Sequence, residues 1–483
     1  MLSTRIERYS GHQYLLEAMR ETGYQPDPNG SCAGIAQMGL QAFLADALDS
    51  YNARIIHIHD TWAQLHAFKN SFFRLQPYGN PASDPRYHSL LAKLKQHESL
   101  AFFDGVALYQ SPGQHQDILG RHVSQYKPQV ISTIARSQAI EEQGGLYQPA
   151  HFLSFLSIEE LTLFFGRLAQ AAGDEKLATS ISFNNHRTSV CYDGKNKKWI
   201  LIDANQLPAH EVAFKDLAER VFSAHTFNNH QQDSAPISVR LYSTGNTLNT
   251  TQEILKRLEN DIHFQKLLEI TPAKARQKTT GRQSLLHLAA KYGNEDAALS
   301  LAHSLDTNAS EQSSDTPLCI AAHHGHDKVV VNLLKNKATL VDLTNGEGKS
   351  PLYIAAENGD PKIVALLLRH QADPLLRSKD QYNAVTIAAK QGHLHVLKIF
   401  SDHDVNLFHK DGHGKTAVDY ASEQRRRDIL DFLHKIRGRT RREESSTQSA
   451  ALRKQSLFSG ASTAERPHSS AVQPARKKAR FDY

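Results

Sequence analysis

Four times between Ser284 and Gly392 the chain repeats one phrase, and a period of this kind constrains the fold more than any other feature of the sequence. The copies are Ser284-Leu-Leu-His-Leu-Ala-Ala290 with Gly293, Thr316-Pro-Leu-Cys-Ile-Ala-Ala322 with Gly325, Ser350-Pro-Leu-Tyr-Ile-Ala-Ala356 with Gly359, and Asn383-Ala-Val-Thr-Ile-Ala-Ala389 with Gly392. The glycines fall 32, 34 and 33 residues apart. Each position has a physical cause. Thr316 or Ser350 can cap a helix N-terminus, and Pro317 or Pro351 suits its first turn. Paired alanines let two helices approach closely, and glycine permits the left-handed turn between them. Second helices such as Lys328-Val-Val-Val-Asn-Leu-Leu334 and Lys362-Ile-Val-Ala-Leu-Leu-Leu368 carry the apolar stripe that seals one repeat on the next. A fifth copy, Thr416-Ala-Val-Asp-Tyr-Ala421, lacks the glycine and runs into a charged helix over Glu423 to Lys435, as an end unit facing water should.

This pattern resembles the ankyrin repeat, with its Thr-Pro-Leu-His phrase and period of about 33 residues. The resemblance implies an all-α ankyrin solenoid over residues 281–437, four repeats plus a capping unit, whose concave face and loop tips bind another protein.

At 483 residues the chain has room for more than this solenoid. With 40% hydrophobic and 22% charged residues it excludes collagenous and wholly disordered classes. There is no apolar run of about 18 residues and no apolar stretch at the N-terminus, so neither a membrane span nor a cleaved secretory signal is expected. Three cysteines, Cys32, Cys191 and Cys319, make no disulfide framework and match no zinc spacing, which points to a reducing compartment.

Residues 1–245 have a different texture, rich in aromatics and with strands as well as helices. The turn Asn29-Gly-Ser31 delivers Ser31 as an N-cap, after which Ile35, Leu40, Phe43 and Leu44 fall at helical spacing. Cys32 then lies in the first turn of a buried helix, where the dipole and free N–H groups favour a thiolate. Two strand-like runs, Asn185-His-Arg-Thr-Ser-Val-Cys-Tyr192 and Lys197-Lys-Trp-Ile-Leu-Ile-Asp-Ala-Asn205, are joined by the turn Asp193-Gly-Lys-Asn. Such a hairpin brings His186 and Asp203 to the same end of two paired strands. A thiol, an imidazole to take its proton and a carboxylate to fix the imidazole tautomer form the set a nucleophilic site needs. Cys191, five residues after His186, points to the opposite face by strand alternation and reads as core.

These residues resemble the papain-like cysteine proteases, and within them the YopT-like branch of effectors. Gly30, Cys32 and Gly34 match its Gly-x-Cys-x-Gly helix start, His186 and Val190 its His-x-x-x-Val strand, and Trp199, Asp203 and Asn205 its aromatic strand ending in Asp-x-Asn. The resemblance implies an α+β papain-like domain over 1–245, with Cys32 as nucleophile, His186 as base and Asp203 as orienter. Ala204 stands where the family usually has proline, and Gln25 and Asn29 are the candidates for its upstream oxyanion donor.

No cofactor or metal is expected. His57 and His59 share one face of a short strand in Arg54-Ile-Ile-His-Ile-His-Asp60 without a third ligand, and His323, His324, His326 and His393 lie at repeat turns where histidine is common. Residues 246–280 read as a helical connector, with an amphipathic helix from Thr251 to Glu269 after the strand Ile237–Tyr242, which joins the domain's sheet. Residues 438–483 read as a disordered basic tail. Much of the net charge of +6 sits near the C-terminus, so direct nucleic-acid binding by a folded groove is not expected. Arg439-Thr-Arg-Arg442 and Arg476-Lys-Lys-Ala-Arg480 resemble nuclear import signals.

The whole chain is similar to the ankyrin effectors that intracellular bacteria inject through a type IV secretion apparatus. That likeness implies a host-directed protein, acting in host cytoplasm or nucleus, that binds a host protein through its repeats and acts on it through a thiol site. The alternatives are a protease-like scaffold without activity and a nucleic-acid-associated protein acting through the tail.

Overall fold

The computed structural model describes residues 13–22, 24, 32–76, 80–96, 99, 102–103, 106–107, 138–183, 186–225, 234–279, 283–310 and 315–438. The described residues as far as Tyr420 form one compact unit and those from Ala421 onward a second.

The first unit opens with α1 (Gln13–Glu21), α2 (Cys32–Leu44), α3 (Leu48–Leu75), α4 (Pro85–Leu94) and α5 (Gln138–Glu142). Six strands follow: β1 (Leu146–Leu156), β2 (Lys176–Phe183), β3 (His186–Asp193), β4 (Lys198–Asp203), β5 (His210–Val212) and β6 (Ala235–Thr244). They form one antiparallel sheet in the order β1-β6-β2-β3-β4-β5. Between them run α6 (Ile158–Ala172) and α7 (Phe214–His225), and α8 (Leu248–Glu259), α9 (Ile262–Leu268) and α10 (Pro272–Arg276) lead onward.

Strand alternation gives the sheet two buried faces. Cys191, Ile200, Ile202 and Tyr242 pack with Leu40, Phe43, Tyr51 and Ile55 of α2 and α3. Val190, Tyr192, Trp199 and Leu201 pack on the other face with Phe164 and Phe165 of α6 and Leu217 and Val221 of α7. Each such side chain contributes roughly 1.5–3 kcal/mol on burial. α6 starts where Ser157 and Glu160 cap each other's backbone N–H at 3.1 and 2.9 Å.

The helix expected over Thr251–Glu269 is two helices. Asp261 breaks it by accepting from His263 N–H and Phe264 N–H, so that α9 turns and lays Phe264 and Leu267 into the same core as Ile254 and Leu258 of α8. The supposed connector therefore completes the sheet's second face. The segment Arg54–Asp60 is not a strand but part of the 28-residue helix α3. Residues two apart on a helix point about 200° apart, so His57 and His59 do not share a face. His59 is held between Tyr14 and Trp62, and His57 reaches Lys93 C=O at 3.5 Å.

The repeats form helix pairs: α11 and α12 (Leu285–Tyr292, Glu295–Ala302), α13 and α14 (Pro317–His324, Asp327–Leu334), α15 and α16 (Pro351–Glu357, Pro361–Arg369), and α17 and α18 (Ala384–Gln391, Leu394–Asp402). Thr316 and Ser350 cap as the sequence predicts, each accepting a backbone N–H at 3.2 Å. Gly293, Gly325, Gly359 and Gly392 are left-handed, with φ of +72, +69, +70 and +93°. α19 (Ala417–Glu423) is the first helix of the fifth copy. In the second unit the charged helix spans 427–438, with Ile429 and Leu433 buried.

Candidate functional site

The β3–β4 register pairs Thr188 with Asp203, so His186, the first residue of β3, stands beside the last residue of β4. Its Nε2 lies 2.8 Å from Asp203 Oδ1. Asp203 is fully buried. The same oxygen accepts the Asn205 N–H at 3.0 Å, and Asn205 Nδ2 is 3.5 Å from the imidazole Nε2. A carboxylate accepts only, so Nε2 carries the proton toward it and the basic lone pair of a neutral ring lies on Nδ1. The loop after β4 is clamped by Asn52 of α3, whose side chain accepts Ala209 N–H at 3.0 Å and donates to Ala209 C=O at 3.1 Å.

Cys32 opens α2, although its side chain, with Gln25, Asn29, Gly30 and Ser31, lies outside the described residues. The direction of α2 follows from contacts along its length. At its C-terminal end Phe43 lies under the Lys176 ammonium at 5.1 Å, and Asp46 pairs with the same ammonium. Lys176 is in register with Asp193, the last residue of β3. Midway, Ser189 Oγ donates to Ala36 C=O at 2.8 Å. α2 therefore runs parallel to β3, and its N-terminus points toward the His186 end of the hairpin. Cys32 is one turn, about 6 Å, beyond Ala36. His186 is three residues, about 10 Å, beyond Ser189. Glycine allows this close seating: a Cβ on Gly39 would fall 2.7 Å from Ile202 Cγ2, and one on Gly34 2.4 Å from Val106 C=O.

Other residues singled out from the sequence have structural settings. Cys191 is fully buried against α2, and burial pushes its thiol far up. Burial also raises Cys319 to about 11. His326 and His393 follow their repeat's glycine and reach back to the preceding repeat, Nε2 lying 3.1 Å from Lys291 C=O and 2.9 Å from Glu357 C=O. Their rings lie where a Cβ on Gly293 or Gly359 would fall, 2.5 Å away. Among the described residues no three His, Cys, Asp or Glu side chains are grouped to hold a metal ion. Asn205, Asn52 and Ser189 drew no role from the sequence: Asn205 lies in a quoted motif, and the other two carry no local signal.

A family model for ankyrin repeats (3 copies) matches residues 286–378 and again 352–440. The repeats are ankyrin repeats. The ankyrin fold has no chemistry of its own and serves protein–protein interaction. On its loop tips, side chains pair with the first helix of their own repeat. Lys349 Nζ meets Glu357 at 3.1 Å, and Lys390 Nζ donates to Tyr382 OH at 2.8 Å while lying over its ring. Among the described residues no helix is long and apolar enough to cross a membrane.

Proposed function

We propose that this protein recruits a partner protein through its ankyrin repeats and acts on an amide of that partner through Cys32, His186 and Asp203. The observation that carries the reading is the His186–Asp203 pair at 2.8 Å, at the end of the hairpin toward which the N-terminus of α2 points. In this reading His186 Nδ1 takes the Cys32 proton and the thiolate attacks the carbonyl carbon. The tetrahedral oxyanion collapses as the amine leaves with the proton from His186, and water then hydrolyses the thioester. Asp203 holds the ring's tautomer and supports its positive charge. A papain-like domain acting this way, with the repeats, supports a host-directed effector delivered by a bacterial type IV apparatus into host cytoplasm or nucleus. The tail with its basic clusters, from Arg439 onward, lies outside the described residues.

The test is the rate of Cys32 alkylation against pH, in full-length protein carrying Cys191→Ser and Cys319→Ser. An assembled pair makes Cys32 react well below pH 8.5, and His186→Ala slows it. An ordinary thiol indifferent to His186 would overturn the catalytic reading and leave a scaffold whose role lies in the repeats.

A further inference from the structure

A cleft of about 1130 Å³ lies between the edge of the sheet and the turns of the first three ankyrin repeats, away from His186 and from the loop tips. One wall is apolar, formed by Phe152 of β1, Leu255 of α8, Leu268 of α9 and Ile270. Facing it are the starts of three successive second helices, α12, α14 and α16. Neighbouring packed helices are about 8–10 Å apart, so this wall is roughly 20 Å long and matches about six extended residues. It is acidic. Glu295, Asp296, Asp327 and Asp360 lie along it, with Glu259 on the apolar side; of the two lysines present, Lys328 is paired with Glu295 at 3.0 Å.

The floor is strand backbone. Among the described residues β1 is an edge strand, bonded only to β6 in the sheet. His151 C=O accepts from the Asn294 side-chain amide at 2.9 Å, so it is directed away from β6, and alternation directs Leu153 N–H and C=O the same way. Asn294 here occupies the place of one rung of an added strand. The volume exceeds the usual range of small-molecule pockets, about 300–1,000 Å³, and the combination of strand edge, apolar wall and acidic wall is that of a peptide groove.

We propose that this cleft binds an extended segment of a partner protein in which apolar residues alternate with lysine or arginine. The segment adds to the edge of β1 at Leu153, sets its apolar side chains against Leu255 and Leu268, and turns its cations toward Glu295, Asp296 and Asp360. This site is independent of Cys32 and of the concave ankyrin face, so the protein holds a partner at two separated places.

The test pans a random 12-residue display library on the full-length protein, then measures affinity for the enriched peptides by fluorescence anisotropy. Recovered peptides should alternate apolar and basic residues. Glu295→Gln with Asp296→Asn, both exposed, should weaken them at least tenfold, and Leu255→Ala should weaken them too. Glu347→Gln with Asp380→Asn on the loop tips should change nothing, and bound peptide should slow hydrogen exchange at residues 151–153. The proposal is overturned if no peptide is enriched, if the enriched peptides lack basic residues, if the Glu295/Asp296 variant binds as wild type does, or if protection maps to the loop tips.

Discussion

Asp203 is the residue on which the candidate site depends most, because its buried carboxylate receives both the His186 ring and the Asn205 N–H. Asp203→Asn keeps the shape but can offer the ring a donor, which turns the tautomer. We expect Cys32 alkylation at pH 7 to fall about tenfold or more, with its pH profile moved upward, while the urea midpoint changes little. His151 makes a separate prediction. Its Nε2 lies 2.8 Å from Ser238 Oγ, and although part of its surface remains accessible in the cleft wall, the surrounding protein holds its pKa well below 6.5. Burial is the main cause, with the Arg240 guanidinium and His326 adding to it. As pH falls below about 6.5 the unfolded chain takes the proton first, so this contribution to stability is present above that pH and is lost below it. Urea midpoints at pH 7.5 and 5.5 should differ less in His151→Gln than in wild type. The limit for this one group is about 1.4 kcal/mol per pH unit. His59 and His323, also held low by burial, act on stability in the same direction.

Among the elements, the turn between the two helices of a repeat was the most legible. Its glycines stand where a left-handed residue is required, and the structure adds a second reason at two of them. Gly359 has φ +70°, and an added Cβ would sit 2.5 Å from His393 Nδ1; Gly414 has φ +73°, and a Cβ there would meet nothing within 4 Å among the described residues. Gly414→Ala should therefore cost only the conformational term, about 1 kcal/mol. Gly359→Ala should cost more, about 2–3 kcal/mol, because the His393 ring must also leave Glu357 C=O. Equal shifts in urea midpoint would show that the packing term is absent. α3 was the least legible element. The alternation Ile55-Ile-His-Ile-His59 imitates a strand, yet these residues lie inside a helix that packs along α2 and α4, so Ile55 and Ile58 fall on its buried side while Ile56 does not.

At the scale of the molecule, the sheet meets the repeats through β1, β6 and α11. The buried Arg240 donates to Tyr292 C=O, and Asn294 donates to His151 C=O while capping α12 through Ala297 N–H at 2.8 Å. The two roles of Asn294 can be separated. Asn294→Asp keeps the cap acceptor but removes the donor, so hydrogen exchange should quicken at residues 149–153 while α12 keeps its protection. Asn294→Ala should loosen both and cost about 1–2 kcal/mol. Quickening confined to α12 in the Asp variant would contradict this division.

What the sequence determined by itself was local or periodic. The ankyrin helices, their caps and turns, and the β3–β4 hairpin that pairs His186 with Asp203 all follow from residues a few positions apart, or from a phrase restated every 33 or so. Tertiary structure decided everything that needs distant segments to meet. It seated β6 between β1 and β2, set α2 parallel to β3 with Ser189 on Ala36, folded α8 and α9 onto the sheet, and left the edge of β1 facing three ankyrin turns. The reason is physical: a cap or a hairpin turn is an interaction between neighbours and leaves its mark in neighbouring letters. Which face of a sheet a helix covers is chosen by burial summed over many residues, and no short run of sequence records that sum.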